Sequence, residues 1–142
     1  MAVLMSLLPI NEEESRVAAD EQLSRYREER GIMTMPINPR ITSSWGDGMS
    51  PSTAERDPYP IERMERIRHA KGFIRYVDRC IHALPKRSHQ RLLRARYCDG
   101  PESDHPDATA MQVLDISSSS YFRLKSEALL AVSFYLGVEV HE

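Results

Sequence analysis

The sequence is poor in the features that announce a function on their own. Its 142 residues include only two cysteines, Cys80 and Cys98. That is too few for a small secreted domain built on disulfides, so the pair reads as reduced thiols of a cytoplasmic protein. No apolar run approaches the ~20 residues of a membrane span, and no membrane partner is expected. Met1 to Ile10 is apolar but brief, has no basic residue and runs into Glu12, Glu13 and Glu14. It does not read as a signal peptide. A glycine-rich phosphate loop and a nucleophile elbow are both missing, and no enzyme is expected. Glu62 and Glu65 are paired at helical spacing, but Arg63 and Arg66 give them an ion-pair explanation. Net charge is also scarce, with 19 Lys and Arg against 21 Asp and Glu, a formal −2. Taken whole, that balance offers a nucleic acid nothing.

The near-neutral total separates when the chain is divided at its composition shifts. Residues 1–60 carry −4, residues 61–98 carry +8, and residues 99–142 carry −6. A basic middle between acidic flanks reads as one face for a polyanion. The competing reading is a solvated helix face compensated by those flanks.

Metal ligation is weighed on Cys80, His82, Cys98 and His105. Cys80 and His82 are two apart on a predicted helix and point in different directions, unlike the short paired spacings of zinc sites. No metal and no cofactor are expected.

An all-α fold is expected, in three parts. Residues 1–31 hold an acidic helix, Glu12 to Arg30, with sparse apolar positions at Val17, Ala18, Leu23 and Tyr26 and with Gly31 at its stop. Residues 32–59 are rich in proline, glycine and serine and have no apolar period. They read as an extended linker with Trp45 as its one anchor. Residues 60–142 form the helical domain. Its first helix runs from Pro60 to Leu84, with Met64, Ile67, Phe73 or Ile74, Val77 and Ile81 inward and a gap at Ala70. A second helix, Ser88 to Tyr97, takes Ser88 as N-cap. After a polar loop, Asp107 caps a short helix, Ala108 to Leu114, with Met111 and Leu114 inward. The turn Asp115-Ile116-Ser117 follows, then a long helix from Ser118 to Leu136 ended by Gly137. Val138 to Val140 form a short strand-like tail.

Short helix, three-residue turn and longer helix form the pattern of a helix-turn-helix, here at 107–136. Asp tolerates the left-handed conformation that such a turn requires. Tyr121, Leu124 and Ala128 share the inward side of the last helix. Ser118, Ser119, Phe122, Arg123 and Ser126 lie on the other, where the first turns of a reading helix face base edges. Arg123 has the fork for a bidentate contact to guanine. Lys125 and small serines, Ser120 included, suit phosphates and close approach. Arg91 and Arg94 on the preceding helix are expected to hold the phosphate backbone. A helical bundle with an incidental serine-rich cap is the plainer alternative.

The stretch Leu114 to Leu130, Leu-Asp-Ile-Ser-Ser-Ser-Ser-Tyr-Phe-Arg-Leu-Lys-Ser-Glu-Ala-Leu-Leu, resembles the C-terminal motif of the ArpU family. Leu136-Gly137-Val138-Glu139-Val140 is similar to that family's ending, and Leu23, Tyr26-Arg27 and Pro39-Arg40-Ile41-Thr42-Ser43-Ser44 are similar to its N-terminal part. The resemblance implies a domain similar to region 4 of bacterial sigma factors. It also implies a phage-encoded, sequence-specific regulator of late genes, bound to double-stranded DNA in the cytoplasm of a bacterial host. The rival reading is a protein-interaction module that binds host RNA polymerase through the acidic N-terminal helix. A homodimer is left open by the sequence.

Overall fold

Asn11 starts the first helix. Its backbone is extended, its side-chain oxygen accepts the Glu14 amide at 3.1 Å, and its side-chain nitrogen donates to the Glu14 carboxylate at 2.7 Å. Two otherwise open groups are satisfied together, and three glutamates in the first turn complement the helix dipole. The resulting helix, α1, is Glu12–Leu23. It is followed by α2, Tyr26–Met33. The computed structural model describes residues 9–36 and 59–142, which are mostly helical.

The single helix expected from Glu12 to Arg30 is therefore two, and Gly31 does not stop it. Gly31 lies inside α2 with no positive φ. The buried positions Ser15, Ala19, Leu23, Tyr26 and Glu29 continue one helical period across the interruption at Ser24 and Arg25. Periodicity therefore gives no sign of the break. Val17, expected inward, is exposed.

The chain forms two compact units, one of residues up to Arg27 together with Arg75–Glu142, the other of Glu28–Ile74. The second unit holds most of α2 and the first part of α3, Tyr59–His82. Here Glu29, only 3% exposed, receives both terminal nitrogens of Arg66 at 2.9 and 2.8 Å. A buried carboxylate is tolerable only with such a partner. Ile67, Ala70 and Ile74 are buried. Ala70, the apparent gap in the apolar stripe, is fully covered, while the expected inward Met64 is exposed. Residues 37–58 of the expected linker, Trp45 included, lie outside the described residues.

The first unit contains the remaining helices: α4, Arg87–Leu93; a π turn, Arg94–Cys98; α5, Pro106–Leu114; and α6, Ser118–Leu136. Both α1 and α4 pack along α6. Leu23, Val77, Ile81, Leu92, Leu93, Tyr97, Tyr121, Ala128 and Val132 fill the core. Each large aliphatic side chain there contributes ~1.5–3 kcal/mol of burial.

Ser88, expected to cap α4, lies within its first turn. Lys86 occupies the cap position and makes no side-chain bond there. The expected helix to Tyr97 closes as a π turn, with the Asp99 amide donating to the Arg94 carbonyl at 2.7 Å. Its wider winding keeps Tyr97 and Cys98 buried behind Leu92 and Leu93. The carbonyls left open at this end are met by Arg27. Its guanidinium donates to Arg96 at 3.0 Å, Ala95 at 3.4 Å, Asp99 at 2.9 Å and Gly100 at 3.2 Å. Helix C-termini attract cations for the same reason.

The tail returns to the start of α1. The Asn11 amide donates to the Val140 carbonyl at 2.8 Å, and the Val140 amide donates to the buried Ser15 hydroxyl at 2.8 Å. Ile10 and His141 form an isolated antiparallel bridge.

Candidate nucleic-acid interface

The turn between α5 and α6 forms as its residues dictate. Asp115 takes φ 58° and ψ 52°, the left-handed conformation, and its amide donates to the Met111 carbonyl at 2.8 Å. Ser117 is extended, and its hydroxyl accepts the Ser120 amide at 3.3 Å, capping α6. Gly137 ends α6 at φ 75°. These three residues set the length of α6 and the direction in which it leaves α5.

Asp107 was expected to cap α5. The helix instead begins at Pro106, with His105 at the cap position, and Asp107 sits in its first turn. One of its carboxylate oxygens accepts from Tyr121 at 2.5 Å, Arg96 at 2.9 Å and Lys125 at 3.0 Å. Proline suits the first helical position because no amide is lost there, which frees the aspartate to turn toward α6. Burial by itself would raise the Asp107 pKa. The Tyr121 hydroxyl and the Lys125 ammonium outweigh it and hold the carboxyl below its usual range. Tyr121 moves the opposite way, raised by burial and by its bond to Asp107.

The expected site residues divide into two sets. Ser118, Ser119, Phe122 and Arg123 lie together on the open side of the first two turns of α6, all exposed. Phe122 is 46% exposed and stands edge-on to Tyr121, with ring centroids 5.0 Å apart. Arg123 has no side-chain partner among the described residues. Ser120 is half-buried, its amide committed to the cap.

The other set is drawn inward. Lys125 was expected at phosphates, but its side chain is 16% exposed and ion-paired with Asp107. Ser126 faces α1, where its carbonyl accepts from Arg16 at 3.2 Å. Arg94 is gripped by Asp78 at 2.6 Å and Asp99 at 2.9 Å, with its guanidinium 5.5 Å from the Tyr26 ring centre. A side chain held by two carboxylates has no free donor fork for a phosphate backbone. Arg91, three residues earlier, is exposed.

Three bonds between tyrosine and aspartate were not foreseen from sequence. Tyr121 meets Asp107, Tyr26 donates to Asp78 at 2.7 Å, and Tyr97 bonds Asp20. Burial, then the Asp78 bond, push the Tyr26 pKa up to about 12. Each bond joins elements that periodicity treats separately. The detectable sign was three acids on otherwise inward sides of helices, each needing a donor.

Between α1 and α6 lies an open cleft of about 330 Å³ lined by Glu13, Arg16, Val17, Asp20, Phe122 and Lys125 among others. Among the described residues no three His, Cys, Asp or Glu side chains gather as a metal site. Cys80 and Cys98 are free and buried, and burial pushes the Cys98 thiol up to about 12. No helix among the described residues is long and apolar enough to cross a membrane. No family model, curated protein or solved structure matches the chain.

Proposed function

We propose that this chain is a sequence-specific regulator of transcription that reads double-stranded DNA with the first two turns of α6. One observation carries the reading: the turn and cap leave Ser118, Ser119, Phe122 and Arg123 exposed together, while Tyr121, Lys125 and Ser126 are engaged by other elements. A reading helix needs that division, with one side fixed to its support and the other free for base edges. Arg123 supplies a bidentate donor for guanine, small serines permit close approach, and Phe122 offers an apolar surface to a thymine methyl. The likeness of Leu114 to Leu130 to the ArpU motif supports a domain similar to sigma region 4, and with it control of late phage genes for packaging and lysis. Selection of bound sequences from random duplex DNA tests this directly. Enrichment of one motif is the expected outcome, its symmetry reporting the number of copies bound, and absence of enrichment overturns the reading.

A second reading rests on α1. Its exposed Glu12, Glu13, Glu14 and Glu21, with Val17 beside them, suit a basic protein partner such as host RNA polymerase. Capture of polymerase by a chain that ignores duplex DNA at low salt would favour it over the first.

A further inference from the structure

We infer that the cleft between α1 and α6 is a docking groove for a basic amphipathic helix of a partner protein, whose apolar side chains cover Val17 and Phe122. This site rests on the second reading, in which α1 meets a basic protein, and adds the place and the shape of what docks.

The groove has a form that a third helix fits. The first turn of α1 is bonded to Val140, beyond the end of α6, while the charge of Asp20 near its far end acts on Tyr121 near the start of α6. The two helices therefore run antiparallel. Glu13, Val17 and Asp20 border the cleft from α1, and Phe122, Ser126 and Leu129 border it from α6. Within each set the spacing is four and then three residues, so each helix offers one row over two turns. Rows of this kind receive the ridge of another helix. The cleft, about 330 Å³, is open to solvent.

Its lining combines exposed apolar groups with acid. Val17 is 49% exposed and Phe122 46%, and both lie at this one cleft, with Leu129 nearly covered beside them. The two cations at the cleft are already committed. Arg16 pairs with Glu12 at 3.3 Å, and Lys125 pairs with Asp107 at 3.0 Å. Along α1 stand Glu12, Glu13, Glu14, Asp20 and Glu21 against Arg16 alone. Glu21, one turn beyond Val17, is exposed and has no partner among the described residues. A ligand therefore meets apolar surface edged by negative charge.

That charge selects the occupant. Acids at the rim repel a phosphate backbone and an anionic membrane surface. A second copy that offered the same cleft would bring the same acids against them. A helix with Lys or Arg beside its apolar stripe is attracted by the rim and lays that stripe into the groove. Covering Val17 and Phe122 removes apolar surface from water and supplies the affinity, while the charges supply the orientation.

The test titrates the isotope-labelled full chain with a synthetic helix of about 18 residues, about 27 Å long, with leucine at every third and fourth position and lysine elsewhere. Amide shifts read by NMR should move in residues 13–20 and 122–129 and not in residues 75–91. Val17→Ser and Phe122→Ser should each weaken binding about tenfold with melting unchanged, and Arg123→Ala should bind as the wild type does. Peptides with alanine for leucine, or with glutamate for lysine, should bind at least about tenfold more weakly than the parent. Equal binding of the alanine peptide, or shifts that fall outside the cleft, would overturn the inference. So would a wild-type dimer that Val17→Ser dissolves, because a second copy would then fill the groove. Capture of RNA polymerase that neither serine variant weakens would overturn the groove and leave the second reading standing. Peptide docking in the cleft of a chain that captures no polymerase would keep the groove and remove polymerase as the partner.

Discussion

Arg123 and Asp107 show how neighbouring residues of one motif divide their labour. Arg123 is left free at the surface, so its removal should be felt in binding and not in folding. Arg123→Ala is expected to weaken the preferred site by ~1–3 kcal/mol and to relax the choice of base at one position, with the melting temperature unchanged. Competition binding against single-base variants of the site measures both effects. Asp107 is the reverse case. Asp107→Ala would leave Arg96 and Lys125 partly buried without their carboxylate, at an expected cost of ~1–3 kcal/mol in denaturant unfolding. Its pKa is lowered in the folded chain, so its stabilising effect is complete above the unfolded value of ~3.9. That effect is lost as pH falls through the folded value. Melting temperature should therefore drop on acidification below about pH 4, and Asp107→Asn should flatten part of that fall.

At the scale of the element, the turn from α5 to α6 is set by conformation more than by contact. Asp115 holds φ 58°, a position aspartate tolerates and β-branched residues do not. Asp115→Gly should leave stability unchanged or raise it by up to ~1 kcal/mol, while Asp115→Val should lower it by ~1–2 kcal/mol. Circular dichroism melts of the two variants check the order. This turn was legible in the sequence because three short-range signals coincide: an αL-tolerant residue, a serine cap and an apolar residue between them. The π turn was not legible. An extra residue in one turn alters which backbone carbonyl an amide reaches, and that choice is made by the packing of Tyr97 and Cys98 and by the guanidinium of Arg27.

At the scale of the whole molecule, the N-terminal helix is a working part of the first unit. It lies along α6, its first turn is held by the tail through Ser15 and Val140, and its far end is tied by Asp20 to Tyr97. Removing residues 138–142 should free the start of α1, seen as faster amide exchange there and as ~1–2 kcal/mol of lost stability per buried hydrogen bond left unmade. Along α6, Tyr121, Ala128, Leu129 and Val132 are buried, while Ser118, Ser119, Phe122, Arg123, Glu127 and Tyr135 stay exposed. Arg16 and Val17 of α1 border the same cleft as Phe122, Lys125 and Ser126, and the Arg16 guanidinium donates to the Ser126 carbonyl at 3.2 Å.

The sequence by itself determined most of the helices, the run of short helix, turn and longer helix at 107–136 and the concentration of positive charge in residues 61–98, but not the break at Ser24 and Arg25. These depend on short-range signals: apolar spacing, caps, left-handed positions and runs of like charge. Only the tertiary structure decided which polar residues serve the surface. Arg91, Arg94, Arg123 and Lys125 look alike as charges on helices. Asp78, Asp99 and Asp107 claim Arg94 and Lys125 across the fold and leave Arg91 and Arg123 exposed. A charged side chain approaching the interior must find a counter-charge, and here Asp78 and Asp107 lie on other helices, 16 and 18 residues from the cations they hold. Pairing at that range has no period to read, so it became visible only when the helices were placed.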